Sequence, residues 1–506
     1  LNYMDDSATG LVDTLSETNW LSMLGGGVGI HVKIRSADEK SVGVLPHLKI
    51  YDASCEAYRQ GKTRRGSYAA YLDISHPDIL MFCELRKPTG DPRLRCENLH
   101  HGINITDAFM EKVQGRMLDK DFDDSWQLID PASGIVVQTV SAKDLWIKLL
   151  TIRVQTGEPY LHFIDTANRA LPEWLKNRGL KINGSNLCAE IELPTSKERT
   201  AVCCLSSVNL EYYDSWKDNY QFIRDVAEML DNVLTHFITT APDVVSRARF
   251  SAERERSIGV GVLGYHSYLQ SRMIPFDSAV SKSINLRMFK HLSAQLNVAN
   301  RELAVERGEA PDAEGYGVRF SHVMAIAPTA STSIIMGNTS PSIEPFRGNT
   351  YRQDTLSGAS FAKNKYIAKI IADRCTSIDK AEEIWKSINA NDGSIQHLDF
   401  FTSEEKEVFK TAMEIDQHWI IELAGDRAPF IDQGQSINVF FRPTSFVEYL
   451  HSVHFTAWKR GVKALYYCRS DKLRKADNVS QRIERQIIDE LDMQRVAEGD
   501  ECLACQ

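Results

Sequence analysis

Two kinds of apolar pattern alternate along the chain. Residues 142–157 (AKDLWIKLLTIRVQTG) and 220–238 (YQFIRDVAEMLDNVLTHFI) repeat their apolar side chains with helical spacing, and a glycine ends the first segment. Short apolar runs at 29–34, 323–328 and 464–467 are bounded by turn residues and predict buried strands. Helices mixed with buried strands predict an α/β fold with a largely parallel sheet.

The pattern changes after about residue 469, where the chain becomes strongly charged. A helix is predicted over about 479–495, followed by a flexible end. Cys502 and Cys505, here called the tail pair, lie three positions apart in the final stretch EGDECLACQ. The sequence therefore predicts one folded unit over 1–470 and a tail over 471–506.

Composition narrows the classes of function. The 506 residues, 43% of them hydrophobic, suffice for two or three ordinary domains or one large α/β barrel. A net charge of −9 with mixed signs argues against nucleic acid or a membrane surface as partner. Ten cysteines are too sparse for a secreted disulfide scaffold, and no signal peptide or membrane-length apolar run occurs. These features predict a reducing, cytoplasmic location.

The stretch NGSNLCAEIELPTS (183–196) carries the most informative candidate chemistry. Asn186, Cys188 and Glu190 are spaced by two, so in extended backbone an amide, a thiol and a carboxylate would share one face. A carboxylate there could act as a general base beside a reactive sulfur. The competing interpretation is a buried structural cysteine with a solvated glutamate.

Two further segments contain pairs of adjacent, redox-capable side chains. In AVCCLSSVNL, strand alternation sends Cys203 and Cys204 to opposite faces, so only one of them can face Cys188. The two interpretations are that both are buried apolar residues or that one of them is a redox thiol. In GVKALYY, Tyr466 and Tyr467 end an apolar run, which fits a core and interface pair or two redox-active phenols.

A hydroxyl-rich turn follows one of the apolar runs, in APTASTSIIMGNTSPSIEP (327–345). The hydroxyl groups of Thr329, Ser331, Thr332 and Ser333, with the N–H groups of a tight turn leading into a helix, form a candidate phosphate cradle. The alternative is an ordinary capped helix start.

Together these motifs resemble the catalytic large subunit of class I ribonucleotide reductase. The motifs that carry the resemblance follow the family's order over almost the whole chain: MDDS, GGGVGIHVKIR, SNLCAEI, AVCCLSSVNL, PTASTSIIMGNTSPSIEPFRGN, GVKALYY and CLAC. The resemblance implies a ten-stranded α/β barrel, built from two parallel five-stranded halves around a central finger loop, with its N-terminal portion missing. It also implies reduction of ribonucleoside diphosphates to 2′-deoxyribonucleoside diphosphates for DNA precursor synthesis.

The resemblance assigns the radical chemistry to five residues. Cys188 would carry the thiyl radical that takes the substrate 3′ hydrogen. Glu190 would be the base toward the 3′ hydroxyl, and Asn186 would hydrogen-bond the substrate. Tyr466 and Tyr467 would relay the radical from a small subunit that holds the metal-radical cofactor, so that this chain itself binds no metal.

Binding roles follow from the same resemblance, which also implies a homodimer. The residues implied in substrate binding are Gly27, Pro328, Thr329, Ala330, Ser331 and Thr332. The residues implied in binding a dNTP or ATP effector are Asp6, Ser7 and Arg35. The residues of the loop that would carry the effector's signal are Arg64 and Arg65.

Reduction requires two electrons, which the resemblance assigns to a dithiol containing Cys203. The tail pair would shuttle electrons to this dithiol from thioredoxin or glutaredoxin, because a disulfide inside a barrel is out of their reach. A zinc half-site is the competing interpretation of the tail pair, although no second Cys-x-x-Cys or His pair completes four ligands.

Three alternatives remain open. The second member of the family's dithiol falls just upstream of Leu1, so the chain could be an inactive or regulatory fragment that needs an N-terminal companion fragment. A class II, cobalamin-dependent reductase shares Asn-x-Cys-x-Glu and a tail pair but needs no tyrosine relay. A glycyl-radical enzyme would need a radical glycine loop near its C-terminus, which this sequence lacks.

Overall fold

The computed structural model describes residues 1–58, 66–355, 358–442 and 444–470. The strands in these ranges are β1 (Asn2–Asp5), β2 (Val28–Lys33), β3 (Tyr68–Asp73), β4 (His100–Ile105), β5 (Ser125–Ile129), β6 (Val136–Ser141), β7 (Tyr160–Phe163), β8 (Cys204–Asn209), β9 (Ile258–Leu263), β10 (Thr350–Thr355), β11 (Gly358–Lys363), β12 (Val439–Phe441), β13 (Ala464–Leu465) and β14 (Cys468–Ser470).

The helices lie mostly between the strands, as expected for parallel connections. They are α1 (Ala8–Met23), α2 (Val44–Ala57), α3 (Ile79–Phe82), α4 (Asp107–Leu118), α5 (Ala142–Thr156), α6 (Ile164–Ala170), α7 (Glu173–Asn177), α8 (Tyr213–Trp216), α9 (Tyr220–Thr240), α10 (Ser246–Glu255), α11 (Tyr265–Gln270), α12 (Ala279–Arg307), α13 (Ala330–Ile335), α14 (Lys365–Arg374), α15 (Ile378–Ala390), α16 (Ser403–Val408), α17 (Gln417–Arg427) and α18 (Val447–Lys459). None of the helices in the described ranges has the length and apolar character needed to cross a membrane.

The first half of the barrel is a parallel sheet of five strands in the order β1-β2-β3-β4-β7. Its strands are almost wholly buried, and β4 exposes none of its six residues. Near-continuous burial is typical of parallel sheets covered by helices.

The second half is less regular. Strands β8 and β9 pair in parallel, and single parallel bridges then join Val260 to Met324 and Ile326 to Gln435. The segment after Gln435 continues into β12, which pairs in parallel with β14. Counting the two bridged segments, this half also has five strand positions, as the expected ten-stranded barrel requires.

The two halves meet at both edges. Strand β13 pairs antiparallel with β7, so that Ala464 lies opposite His162. At the other edge Leu1 and Ala201 exchange two backbone hydrogen bonds of 2.9 Å, which join the start of β1 to the segment that leads into β8.

The helices predicted at 142–157 and 220–238 are confirmed. Helix α5 begins after Ser141, whose side chain accepts a hydrogen bond from the Asp144 N–H, and ends at Gly157 in the left-handed conformation. Helix α9 covers the second predicted segment with two extra residues.

The predicted strands are confirmed in part. The run at 29–34 is β2, one residue earlier, and the run at 464–467 becomes β13 and the two tyrosines between β13 and β14. The run at 323–328 is not a regular strand, because it pairs only through single bridges at Met324 and Ile326. The predicted helix at 479–495 lies outside the described residues.

The finger loop, residues 180–200, crosses the space between the two halves. From the first half, the Tyr71 hydroxyl donates to the Asn186 carbonyl at 2.7 Å. From the second half, the Gly434 N–H donates to the Glu190 carbonyl at 2.8 Å. A Cβ at Gly29 on β2 would lie only 2.0 Å from the Ser185 carbonyl oxygen, so glycine is needed for this close approach.

Candidate active site

The tip of the finger loop is a turn and not the extended segment that the spacing predicted. Ala189 has φ +60°, in the left-handed region, and its N–H donates to the Asn186 carbonyl at 3.4 Å. The Asn186 side-chain oxygen accepts from the N–H groups of Glu190 (2.9 Å) and Ile191 (3.1 Å). This amide competes with strand pairing for the local backbone, which explains why the extended prediction was wrong.

The sulfur of Cys188 lies at this tip, fully buried, beside the tyrosine pair. The Tyr466 hydroxyl is 3.6 Å from the Cys188 sulfur. The rings of Tyr466 and Tyr467 are 4.2 Å apart, and both pack on Tyr160 at 4.8 and 5.2 Å. The structure therefore brings the predicted tyrosine pair to Cys188, although Cys188 and Tyr466 are 278 positions apart in sequence.

A polar cluster lies on the far side of Tyr467. The Tyr467 hydroxyl is 3.4 Å from Nδ1 of His100, and that nitrogen is 2.6 Å from the Glu158 carboxylate. Although burial works against its charged form, Arg86 and His100 hold the pKa of Glu158 well below its usual range. The Arg469 guanidinium lies over the Tyr467 ring at 4.2 Å.

Sequence reasoning missed Tyr160, His100 and Glu158 in this neighbourhood. His100 is the first residue of β4, Tyr160 is the first residue of β7, and Glu158 lies in the turn before β7. Only the order of the strands brings these residues to the tyrosine pair. The adjacent histidines in LHHGINI were the available signal, because two consecutive polar rings in a buried strand are unusual.

The Glu190 carboxyl group is fully buried and incompletely paired. The Ser436 hydroxyl shares its one hydrogen between Oε2 of Glu190, at 3.1 Å, and the Cys188 carbonyl, at 2.6 Å. Oε1 of Glu190 has no hydrogen-bond partner within the described part of the chain. Burial raises the pKa of Glu190 to about 7, opposed by hydrogen bonds from Asn186 and Ser436. The group can therefore exchange a proton near neutral pH with a hydroxyl that reaches Oε1.

Cys203 immediately precedes β8 and Cys204 is its first residue, and the two side chains pack in different places, in agreement with the predicted alternation. Cys203 packs with Ile191 and Leu193 of the finger loop, whereas Cys204 packs against the main core. The Gln433 amide donates to the Cys203 sulfur at 3.3 Å. Burial raises the pKa of the Cys203 thiol well above its ordinary value.

The hydroxyl-rich turn forms the start of helix α13. Thr329 precedes the helix with φ +50°, and its hydroxyl accepts from the Ser342 N–H at 2.8 Å, so this hydroxyl is used within the protein. Ser331 is half-buried and Thr332 is exposed. The other residues implied in substrate binding are the half-buried Pro328 and Ala330 and the exposed Gly27, which precedes β2. Phosphate binding by this turn stays a prediction.

The three residues implied in effector binding lie together at the carboxyl ends of β1 and β2. The Arg35 guanidinium donates to the Asp6 carboxylate at 2.7 Å, and Ser7 caps helix α1 by accepting from the Gly10 N–H at 3.0 Å. The hydrogen bond from Arg35 to Asp6 raises the pKa of Arg35. The remaining candidate residues, which lie outside the described residues, are Arg64, Arg65, Cys502 and Cys505.

Metal-ligating groups do not cluster within the ranges that the structure describes, where no three His, Cys, Asp or Glu side chains are arranged to hold an ion.

Comparison with known proteins identifies relatives over most of the chain. The family model "Ribonucleotide reductase, barrel domain" matches residues 1–314 and 310–468. A ribonucleoside-diphosphate reductase large subunit from Invertebrate iridescent virus 3 is 48% identical over 526 residues, covering 95% of this chain and 84% of that protein. A putative large subunit from Frog virus 3 is also 48% identical, covering 93% and 82%.

A solved structure agrees with these relatives. The class Id ribonucleotide reductase alpha subunit of Actinobacillus ureae superimposes with a TM-score of 0.80 at 35% identity, covering 93% of this chain and 82% of that one. The barrel expected from the sequence motifs is thereby confirmed.

Proposed function

This chain belongs to the ribonucleotide reductase large-subunit family, and from that premise we propose that it reduces ribonucleoside diphosphates to 2′-deoxyribonucleoside diphosphates by thiyl-radical chemistry at Cys188. The observation that carries the proposal is the placement of the Cys188 sulfur 3.6 Å from the Tyr466 hydroxyl, inside a closed and fully buried cluster.

The tyrosine pair is proposed to carry the radical between Cys188 and a small subunit. Tyr467 lies 4.2 Å from Tyr466, ring centre to ring centre. A small subunit bearing a metal-radical group supplies the oxidising radical. Within this chain Tyr467 would give one hydrogen atom, a proton with an electron, to the radical of the small subunit and take one from Tyr466. Tyr466 would then take a hydrogen atom from Cys188 in its reduced, S–H form. A class II reductase would give these adjacent phenols no such task.

The chemistry at the substrate uses the two buried groups of the finger-loop tip. The Cys188 thiyl radical takes the 3′ hydrogen, which breaks C3′–H and forms S–H. Glu190 accepts the proton of the 3′ hydroxyl at Oε1, and one thiol of the Cys203 dithiol protonates the 2′ hydroxyl, which leaves as water and moves the radical to C2′. The other thiol gives a hydrogen atom to C2′, and the two sulfurs join as a disulfide radical anion. Its extra electron, with the proton returned by Glu190, restores the 3′ hydroxyl and the radical at C3′ and leaves the disulfide. Cys188 then returns its hydrogen to C3′ and is a thiyl radical again. Exclusion of water protects the radical throughout.

Binding of the substrate and the effector is assigned to the two polar regions described above. The start of α13, with Ser331 and Thr332, is proposed to hold the substrate diphosphate. The Asp6 and Arg35 pair, with Ser7, is proposed to bind the nucleoside triphosphate effector. The tail pair is proposed to re-reduce the Cys203 disulfide, with thioredoxin or glutaredoxin as the electron source.

A homodimer is supported by the surface of helix α1. This helix buries the polar side chains of Thr14, Glu17 and Thr18, and it also exposes several apolar ones. Val12 is 67% exposed and Trp20 is 40% exposed. An exposed apolar helix face beside the proposed effector site fits a second copy of this chain.

The test is Cys188→Ser, assayed with the small subunit, an effector and a dithiol in a preparation in which the wild type turns over. The serine hydroxyl cannot carry the radical, so deoxynucleotide formation should fall to background while nucleotide binding and the unfolding midpoint stay as in the wild type. Retained turnover would refute the assignment, and absent wild-type turnover in every preparation would favour a regulatory fragment.

A further inference from the structure

The side-chain amide of Gln433 joins three parts of the barrel. Its Nε2 donates to the Cys203 sulfur at 3.3 Å and to the Ile258 carbonyl on β9 at 3.0 Å. Its Oε1 accepts from the Glu192 N–H of the finger loop at 3.3 Å. Gln433 is about 1% exposed, so these contacts are made out of water.

The orientation of this amide is fixed by its neighbours. The Glu192 N–H can only donate, so it must face the amide oxygen, and the Ile258 carbonyl can only accept, so it must face the NH₂ group. The second N–H of that group then points at the sulfur of Cys203. Both donors and one lone pair are used, which leaves no freedom for an amide flip.

We propose that Gln433 is a positioning residue for dithiol exchange: it holds the Cys203 sulfur against the finger loop and donates the hydrogen bond that stabilises the thiolate of Cys203. The inference rests on the proposed function, because it gives that thiol a purpose, but the contact itself can be tested without turnover.

The charges around Cys203 explain why such a donor is needed. Burial raises the pKa of the thiol, and Cys204, Glu190 and Asp432 act in the same direction, whereas the Gln433 amide lowers it. A thiolate is the form that exchanges with a disulfide, so the amide hydrogen bond acts on the form that reacts.

The same segment also fixes the loop that holds the radical cysteine. Gly434 donates its N–H to the Glu190 carbonyl at 2.8 Å, and Ser436 donates to the Cys188 carbonyl. The redox sulfur and the radical-bearing tip are thus held by one stretch of four residues. A change at Gln433 therefore displaces the sulfur relative to the tip, even though Gln433 touches neither the substrate nor the radical.

The experiment is the pH dependence of alkylation at Cys203 by iodoacetamide, followed by peptide mass spectrometry in a Cys204→Ser background. Gln433→Glu keeps the shape and the acceptor but replaces the donor with an oxygen. Loss of a hydrogen bond to a charged group corresponds to about a tenfold to hundredfold change. We expect the Cys203 alkylation rate at pH 8 to fall by that factor and its titration to move to higher pH.

Two further variants make the result decisive. Gln433→Met fills the same space without a charge or a donor, and should show the same direction of change if the glutamate variant does not fold. Gln435→Met is the matched control, since Gln435 is buried two residues away and bonds Arg427 and the Ala424 carbonyl instead. Superimposable profiles for a folded Gln433 variant and the wild type would overturn the inference. Turnover by Cys203→Ser would overturn only the proposed redox role of Cys203. The alkylation experiment would still decide whether Gln433 acts on the Cys203 sulfur, because it needs no turnover.

Discussion

Replacing Glu190 by glutamine is expected to abolish turnover and at the same time to stabilise the protein above neutral pH. The buried carboxyl group has its pKa raised from 4.5 to about 7, chiefly by burial. At pH 8 the folded chain must keep a charge in an environment that disfavours it, whereas the unfolded chain holds the same charge in water. A glutamine of the same shape has no charge to bury.

The size of the effect follows from proton linkage. Because the pKa of Glu190 is higher in the folded than in the unfolded chain, its contribution to the free energy of unfolding is fully present at low pH. That contribution is lost as pH rises through the folded-state pKa. The interval from 4.5 to about 7, at roughly 1.4 kcal/mol for each pH unit, amounts to about 3 kcal/mol. The new NH₂ group occupies the place of the unpaired Oε1 and costs about 1 kcal/mol at every pH. The net gain at pH 8 is therefore about 2 kcal/mol.

The assay is urea unfolding of both proteins at pH 5, 6, 7 and 8. The difference in free energy of unfolding should grow by roughly 1.4 kcal/mol per pH unit up to about pH 7 and then level off. Glu255, whose pKa burial also raises to about 7, contributes equally to both proteins and cancels. Glu192→Gln is the control. Oε2 of Glu192 lies 2.8 Å from Nε2 of His162, so loss of this carboxylate should destabilise the protein. A difference that does not vary with pH would refute the reasoning.

Three further predictions concern the relay, the substrate site and the tail. Tyr466→Phe and Tyr467→Phe should each stop deoxynucleotide formation with the small subunit while lowering the free energy of unfolding by only about 1 kcal/mol, and normal turnover in both would exclude the relay. Replacing Ser331 and Thr332 by alanine should raise the substrate KM at least tenfold, because each charge-assisted hydrogen bond is worth roughly 1.5–3 kcal/mol; an unchanged KM would leave the turn as a helix cap. Replacing both cysteines of the tail pair by serine should stop repeated turnover with thioredoxin and let a small dithiol restore part of it, whereas full thioredoxin-driven turnover or one bound zinc per wild-type chain would contradict the shuttle.

Local signals were sufficient for the helices. The spacing of apolar residues in α5, its serine cap and its final glycine are all contained within 17 residues of sequence, and the structure follows them closely. The motif residues were also found from sequence, because Cys188, Tyr466 and Tyr467 stand in motifs that the family resemblance makes specific.

Contacts between distant segments could not be predicted in the same way. The run at 323–328 looked like a strand because its composition is right, but its pairing depends on Val260 and Gln435, which lie far away in sequence. The spacing of two at 186–190 did not distinguish a strand from a turn, because the Asn186 side chain takes the backbone N–H groups that a strand would offer to a neighbour. Gln433 gave no signal, since its importance depends on three groups that meet only in the fold.

The position of the finger loop also constrains how the chain can fold. The loop is synthesised after the first five strands and before the second five, yet in the finished molecule it lies between them. During synthesis the first half is complete when the loop emerges, so the loop can settle against it before β8 to β14 close the other side. A full-length chain refolding from denaturant has no such order imposed on it, and contacts such as Ala464 with His162, which join residues about 300 positions apart, can close the barrel before the loop is in place. Refolding in the test tube is therefore expected to be slower and more prone to trapped states than folding on the ribosome.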